Sequence, residues 1–441
     1  MALTVRQVIC LGNNVGPRAT LCFIQSRNRS DMKSLANFKK GTGGRSSFSG
    51  VVATVFGATG FLGKKIVSRL GKTGSQVIVP RRGDFLEPDA LKLSGDLGQI
   101  LYLDYDLRDE ESLRKAMAYS NVVINLIGRD FETRRFKYQD VHVDGARRIA
   151  RIAKELGVEK FVHFSSLNAV PNPQSIFIRG GSKFLKSKYE GELAVREEFP
   201  EAIIFRPADM FGDYDNFINL YMHQFRRTSN YKLPLWKKGY STIKQPVYVA
   251  DVATGVMNAL RMDEANGNTY ECVGPRRYYL SDLVDYFWQC ARFPGANGTA
   301  RLTLNQWSLF RLRAEFFDKV QMATHGCPPY TWDRIEREHI TDRTTGLPTL
   351  EALNVHLTPI ETVAPNQLQP YIVGHFFTES VEEYAPAPET VPTEFTPKPD
   401  KLSLAVPVIE IAQSVVRSKI PFELAVCGVF IYIFAEYSMY L

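Results

Sequence analysis

At 441 residues, with 44% hydrophobic and 23% charged residues, the chain has the composition of a globular protein large enough for one α/β domain and a smaller companion. The formal charge of +7 belongs to the first 50 residues, where Arg6, Arg18, Arg27, Arg29, Lys33, Lys39, Lys40 and Arg45 face Asp31 alone. The remainder carries equal numbers of basic and acidic residues, which excludes a nucleic-acid footprint and leaves no nucleic-acid partner to expect. The six cysteines, Cys10, Cys22, Cys272, Cys290, Cys327 and Cys427, form neither a CxxC pair nor a Cys/His cluster of zinc spacing, so they read as reduced and structural and no metal is expected.

Residues 1–45 are rich in Arg, Ser, Asn and Gly and nearly free of acids, the composition of a mitochondrial transit peptide rather than a plain disordered basic tail. The apolar stretch Val8–Leu11 is too short for a secretory core. From residue 51 onward strands and helices alternate. Strands are expected at 51–56, 76–80, 100–103, 121–126, 160–164 and 202–205, and helices at 61–70, 109–118, 141–156 and 179–199. Such alternation predicts an α/β fold, a doubly wound Rossmann parallel sheet, over 50–265. Beyond about residue 207 the alternation decays. Helical patterns at 280–291 and 302–321 predict a smaller, mainly helical C-terminal domain over 266–385. Residues 386–441 read as a Pro-rich linker, with Pro386, Pro388, Pro392, Pro397 and Pro399, followed by a flexible apolar tail. The run Leu424–Ala435 holds 12 residues against the ~20 of a membrane span, which favours a helix buried in protein over one lying on a membrane.

Gly57-Ala58-Thr59-Gly60-Phe61-Leu62-Gly63 has GxxGxxG spacing directly between the first strand and the first helix. Gly57 serves the tight turn, Gly60 the approach of a pyrophosphate, and Gly63 the packing of helix on strand; Thr59, Phe61 and Leu62 complete the expected cofactor-binding turn. At the end of the second strand, where an acid would bind the ribose of NAD, stand Arg81 and Arg82, which suit a 2′-phosphate and predict NADPH. Asp106 and Leu107 are expected at the adenine, and Leu126, Ile127 and Gly128 along the ribose and phosphates.

On these residues the chain resembles the extended short-chain dehydrogenase/reductase superfamily, in its atypical branch. Longer strings narrow the likeness: Gly57–Gly63, Asn125–Arg129, Gly157–Phe161, Phe199–Ile204, Lys244–Val252 and His339–Asp342 are similar to the NADPH-binding accessory subunits of mitochondrial respiratory complex I, over about residues 45–385. The superfamily implies a substrate-orienting Ser at Ser165 and a ribose-binding Lys at Lys188. Its catalytic Tyr, four residues before that Lys, is here Phe184, which has no proton to give, so no catalytic residue is expected. Tyr189 lies off the required face. The resemblance implies a matrix-side subunit on the inner membrane, in peripheral contact with its surface, that holds NADPH outside the electron path and supports assembly or stability. Its partners would be other complex I subunits rather than copies of itself. Two departures stand out: His142 replaces the Asn common in extended enzymes, and the segment after 386 has no counterpart. The competing expectation is a free-standing mitochondrial NADPH-dependent reductase or epimerase, which would need a proton donor in place of Phe184.

Overall fold

The computed structural model describes residues 39–83, 89–227, 232–293, 301–304, 309–324 and 330–372. Most of the expected transit segment, the Pro-rich stretch and the 424–435 apolar run lie outside them. Six strands, β1 (Val52–Phe56), β2 (Gln76–Arg81), β3 (Ile100–Asp104), β4 (Val122–Asn125), β5 (Lys160–Phe164) and β6 (Ile203–Pro207), join a seventh, Thr269–Cys272, in one sheet. The order is β3-β2-β1-β4-β5-β6 and then Thr269–Cys272, every pair parallel. This is the doubly wound arrangement.

The strands read as apolar runs because helices cover both faces. On one face Ala53, Val55, Val122, Ile124 and Val162 pack on Leu62, Ile66, Val67 and Leu70 of α1 (Phe61–Lys72). On the other, Phe56, Val123 and Phe161 meet Leu113, Ala116 and Met117 of α2 (Glu110–Met117) and Ile149, Ala150 and Ala153 of α3 (Gly145–Glu155). Asp109 caps α2, accepting from the N–H groups of Glu111 (3.1 Å) and Ser112 (3.3 Å).

Four expectations are corrected. The helix expected at 141–156 begins as a π-helical turn, Gln139–Asp144, before α3. The one expected at 179–199 starts only at α4 (Lys183–Glu198), because Gly180 (φ 86°) and Gly181 (φ 72°) adopt a left-handed conformation before the Ser182 cap. The strand Arg301–Thr303, beside Leu233–Leu235, takes the first residues of the expected 302–321 helix. The proposed boundary at 265 divides the sheet, since Thr269–Cys272 pairs with β6, and Leu350, Leu353 and Val355 also enter the large core beside α5 (Val249–Ala259).

The second lobe is assembled from separated pieces: Phe217, Tyr221, Leu233 and Leu235 pack with α6 (Leu280–Cys290). Phe310 and Ala314 of α7 (Leu309–Thr324) pack with Trp332 and Ile335 of α8 (Trp332–Glu338), and α9 (Ile360–Leu368) covers α6. Among the described residues no helix is long and apolar enough to cross a membrane.

Two buried ionic contacts tie α8 and its flank into the molecule. Arg226 Nη2 donates to both oxygens of Glu338 at 3.0 and 2.9 Å, with side chains 0% and 3% exposed. Lys244 Nζ lies 3.0 Å from Asp209 and 3.5 Å from Asp342. Truncating one partner leaves an uncompensated buried charge, so Glu338→Ala should cost about 3–5 kcal/mol. The paired Arg226→Met/Glu338→Leu change should cost markedly less. Urea unfolding of the three proteins checks this; equal losses would contradict the desolvated pair.

Candidate functional site

The glycine turn is a backbone cradle that side chains would fill. Gly57 has φ 76°, and a Cβ there would stand 3.1 Å from the carbonyl of Leu126. A Cβ on Gly63 would meet the Gly57 and Ala58 oxygens at 2.5 and 2.6 Å. Gly60 is the N-cap of α1; no side chain caps that helix and no acid occupies its first turn. The helix therefore presents its amide end and positive dipole to an anion. The Leu62 side chain is spent in the core, so at this position the backbone is what remains for a ligand. Thr59 and Phe61 are half-buried at the mouth of the turn.

The two arginines after β2 are not equivalent. Arg81 stands opposite Asp104 in the sheet register, and its Nε contacts that carboxylate at 3.0 Å. Arg82 is exposed. Asp106 is exposed and accepts the Arg108 N–H at 2.9 Å. The Leu107 side chain, expected at an adenine, is instead buried in the core, where a Cβ on Gly145 would touch it at 2.8 Å. Leu126 and Ile127 are half-buried on opposite sides of the sheet and leave Gly128 exposed.

At the ends of β4 and β5 the sequence-predicted Gly128, Ser165 and Lys188 do come together. Lys188 Nζ donates to the Phe164 carbonyl at 3.0 Å, beside Ser165, and a Cβ on Gly128 would lie 3.2 Å from that Nζ. Burial, with Arg337 assisting and Asp130 opposing, pushes the Lys188 pKa down to about 8. His163 is held neutral, its pKa lowered to about 3 by burial and by Lys188. Two buried polar atoms, Ser165 Oγ and His163 Nε2, have no hydrogen-bond partner. Together with the open cradle they are what a dinucleotide lying across the β1–β4 switch point, its polar amide end over β5, would satisfy.

His142 was noticed in the sequence only as a departure; the structure gives it a position. Ser187 donates to the Phe184 carbonyl at 2.8 Å, so His142 Nδ1 donates to Ser187 Oγ at 2.8 Å, and Nε2 accepts the Arg129 N–H at 3.2 Å. That bonding requires the neutral imidazole, in accord with a pKa driven well down by burial, Lys188 and Arg337. The π-helical turn delivers this ring, and α4 approaches it so closely that a Cβ on Gly191 would stand 2.2 Å from the His142 carbonyl.

Phe184 lies one turn before Lys188, its ring 5.9 Å from Nζ. It is buried among Tyr138, Leu185 and Ile340, edge-on to Tyr138 and His142. The Arg337 guanidinium lies 3.8 Å from the ring centroid. The neighbouring hydroxyl, Tyr138 Oη, donates to the Asp130 carbonyl at 2.8 Å, and burial raises its pKa further. Asp130, Arg334 and Arg337 were missed in the sequence. Asp130 Oδ2 takes Arg334 at 2.5 Å and Oδ1 takes Arg337 at 3.3 Å. Burial alone would raise the Asp130 carboxyl, but the two guanidiniums hold it well below the usual range.

Residues 53–272 match the NAD dependent epimerase/dehydratase family. The chain is 44% identical over 352 residues to the rat "NADH dehydrogenase [ubiquinone] 1 alpha subcomplex subunit 9, mitochondrial", covering 79% of this chain and 87% of the relative. It is 35% identical over 339 residues to the Dictyostelium discoideum protein of the same name, covering 76% and 89%. It is also 33% identical over 171 residues to a ceramide reductase of Caulobacter vibrioides, covering 38% and 48%.

His142, His163 (about 3) and His339 (about 4) all have pKa values below the ordinary 6.5. Below 6.5 the unfolded chain binds protons that the folded protein refuses, so their contribution is fully present above that pH and is lost as pH falls towards the folded values. Each histidine supplies a slope approaching ~1.4 kcal/mol per pH unit. The urea midpoint should therefore drop steadily between about pH 7 and 5. A flat midpoint across that interval would contradict the neutral buried imidazoles.

Proposed function

The chain belongs to the family of NADH dehydrogenase [ubiquinone] 1 alpha subcomplex subunit 9, and from that premise we propose that it is a non-catalytic accessory subunit of mitochondrial complex I that holds NADPH as a structural nucleotide and supports assembly or stability of the enzyme. The observation that carries this reading is the contrast within one site. The glycine cradle and Lys188 suit nucleotide binding, while Phe184 and the overlying Arg337 occupy the place where a proton donor and a substrate would have to be. Loss of a general acid typically removes ~10²–10⁴ in rate, and a filled cleft removes the substrate as well.

When bound, the nucleotide would bring a nicotinamide able to exchange hydride. The residues of this chain do the holding. The amide end of α1 would take the pyrophosphate and Lys188 the nicotinamide ribose, with Ser165 Oγ and His163 Nε2 available to the carboxamide. The polar groups around Phe184 are bonded to each other, and His142, neutral and held on both nitrogens, is no replacement acid. The mitochondrial names of the relatives support a mitochondrial address, and the basic segment before residue 46 accords with import to the matrix side of the inner membrane. Complex I subunits would be its partners, with any membrane contact peripheral.

Native gel electrophoresis of detergent-solubilised mitochondria, blotted for this chain, tests the assignment. Co-migration with NADH dehydrogenase activity is expected; migration as a free small protein would overturn it. The choice of NADPH is tested separately. Because Asp104 engages Arg81, Arg82 is the better placed guanidinium for a 2′-phosphate. Arg82→Ala should weaken NADPH by about tenfold or more while leaving NADH nearly unchanged, the loss expected of ~1.5–3 kcal/mol for a charged hydrogen bond. Arg81→Ala should do less. Equal weakening of both nucleotides, measured by calorimetry, would sink the 2′-phosphate assignment.

A further inference from the structure

In a sheet of this topology the reactive end of a bound nucleotide meets its substrate outside the carboxyl ends of the strands. Here α8 and its flanks lie there, held by contacts to both lobes. Arg334 and Arg337 share Asp130 from the loop after β4, and Arg334 Nη2 also donates to the Asn216 carbonyl at 2.9 Å. Asp333 accepts from Ser182 Oγ and from the Lys183 N–H, both at 2.9 Å, at the start of α4. Glu336 accepts three backbone N–H groups from the loop after β5, those of Ile176 (2.5 Å), Phe177 (2.8 Å) and Ile178 (3.3 Å). Asp342 accepts from Asn168 Nδ2 at 3.1 Å and from the Gln245 N–H at 2.9 Å.

These groups are what a polar substrate would use in such a cleft: backbone donors, a guanidinium and a flat hydrophobic wall. Each is occupied by the chain itself. The three N–H groups hold a carboxylate of α8, and the wall formed by Phe184 holds Arg337.

We infer that α8 is a built-in plug that fills the substrate position beside Phe184 and Lys188 and shields the nicotinamide end of the bound nucleotide from soluble hydride acceptors, with Asp130 as its catch. The inference rests on the nucleotide-holding reading given above and adds that the nucleotide is sealed as well as bound. Asp130 fits the role because both of its oxygens are engaged by α8. The stacked guanidinium over Phe184 is a planar contact that an ammonium does not reproduce.

The test uses the full chain purified with NADPH, challenged with phenazine methosulfate while reduced-nicotinamide fluorescence is followed. Bound NADPH in the unaltered protein should be oxidised at least about tenfold more slowly than free NADPH. Arg337→Lys should restore most of the free rate, as should Asp130→Asn, while NADPH still co-purifies. Should Asp130→Asn fail to fold, Arg337→Lys, which keeps a cation beside Asp130, carries the test. Oxidation of the protein-bound nucleotide at the free rate would overturn the plug and leave nucleotide holding intact. Slow oxidation that neither variant accelerates would overturn the assignment of α8 and Asp130. A protein that retains no NADPH would overturn both readings.

Discussion

One carboxylate, Asp130, lies at the meeting of the two lobes. It follows β4, the strand next to β1, and takes guanidinium groups from two positions one helical turn apart, Arg334 and Arg337, on a helix more than 200 residues away. A buried cation is tolerated only when a partner and hydrogen bonds offset its desolvation. Here two half-buried cations and one half-buried anion form a milder version of such a set, and the depressed Asp130 carboxyl reflects the same attraction. Much else is arranged around it. Tyr138 bonds its backbone carbonyl, Arg337 is aimed from it onto Phe184, and Arg334 continues to the Asn216 carbonyl of the second lobe.

That geometry makes sense of an aromatic ring without a hydroxyl among so many polar neighbours. A hydroxyl at position 184 would have to find a partner close to Arg337 and Lys188, or remain buried and unsatisfied. Phe184 offers a π face to Arg337 and edges to Tyr138 and His142, and asks for nothing else. Lys188 then donates to the Phe164 carbonyl, and burial, helped by Arg337, lowers its pKa against the pull of Asp130. Nucleotide phosphates, if bound within range, would move that pKa back up, because an anion favours the ammonium.

The sequence carried what is local and periodic. The β/α alternation, the glycine spacing and the Lys188 turn are patterns of nearest neighbours, and the sheet and cradle follow from them. What it concealed was set across the chain. Arg81 and Arg82 look alike in sequence, yet the register of β2 on β3 hands one of them to Asp104. Leu107 follows a strand end like a ligand residue, but the missing side chain of Gly145 draws it into the core. The seventh strand, Thr-Tyr-Glu-Cys, has no apolar run to announce it and exists because β6 offers an open edge. The Asp130 set leaves no local pattern, since Asp130 and its two arginines stand more than 200 residues apart in the chain.

Binding and turnover make unequal demands on such a scaffold. Binding needs backbone amides at the end of a helix and hydrogen in place of Cβ at Gly57 and Gly63; these are part of the packing itself. Turnover adds a transferable proton and room for a second molecule, whereas at position 184 stands a Phe ring with the Arg337 guanidinium over it. A ligand that binds only the folded state stabilises it in proportion to the logarithm of its concentration over its dissociation constant. A nucleotide held beneath α8 would therefore report on, and reinforce, the docking of one lobe against the other. For a subunit of a large assembly, such a nucleotide would favour one docked arrangement of the surface that the two lobes form.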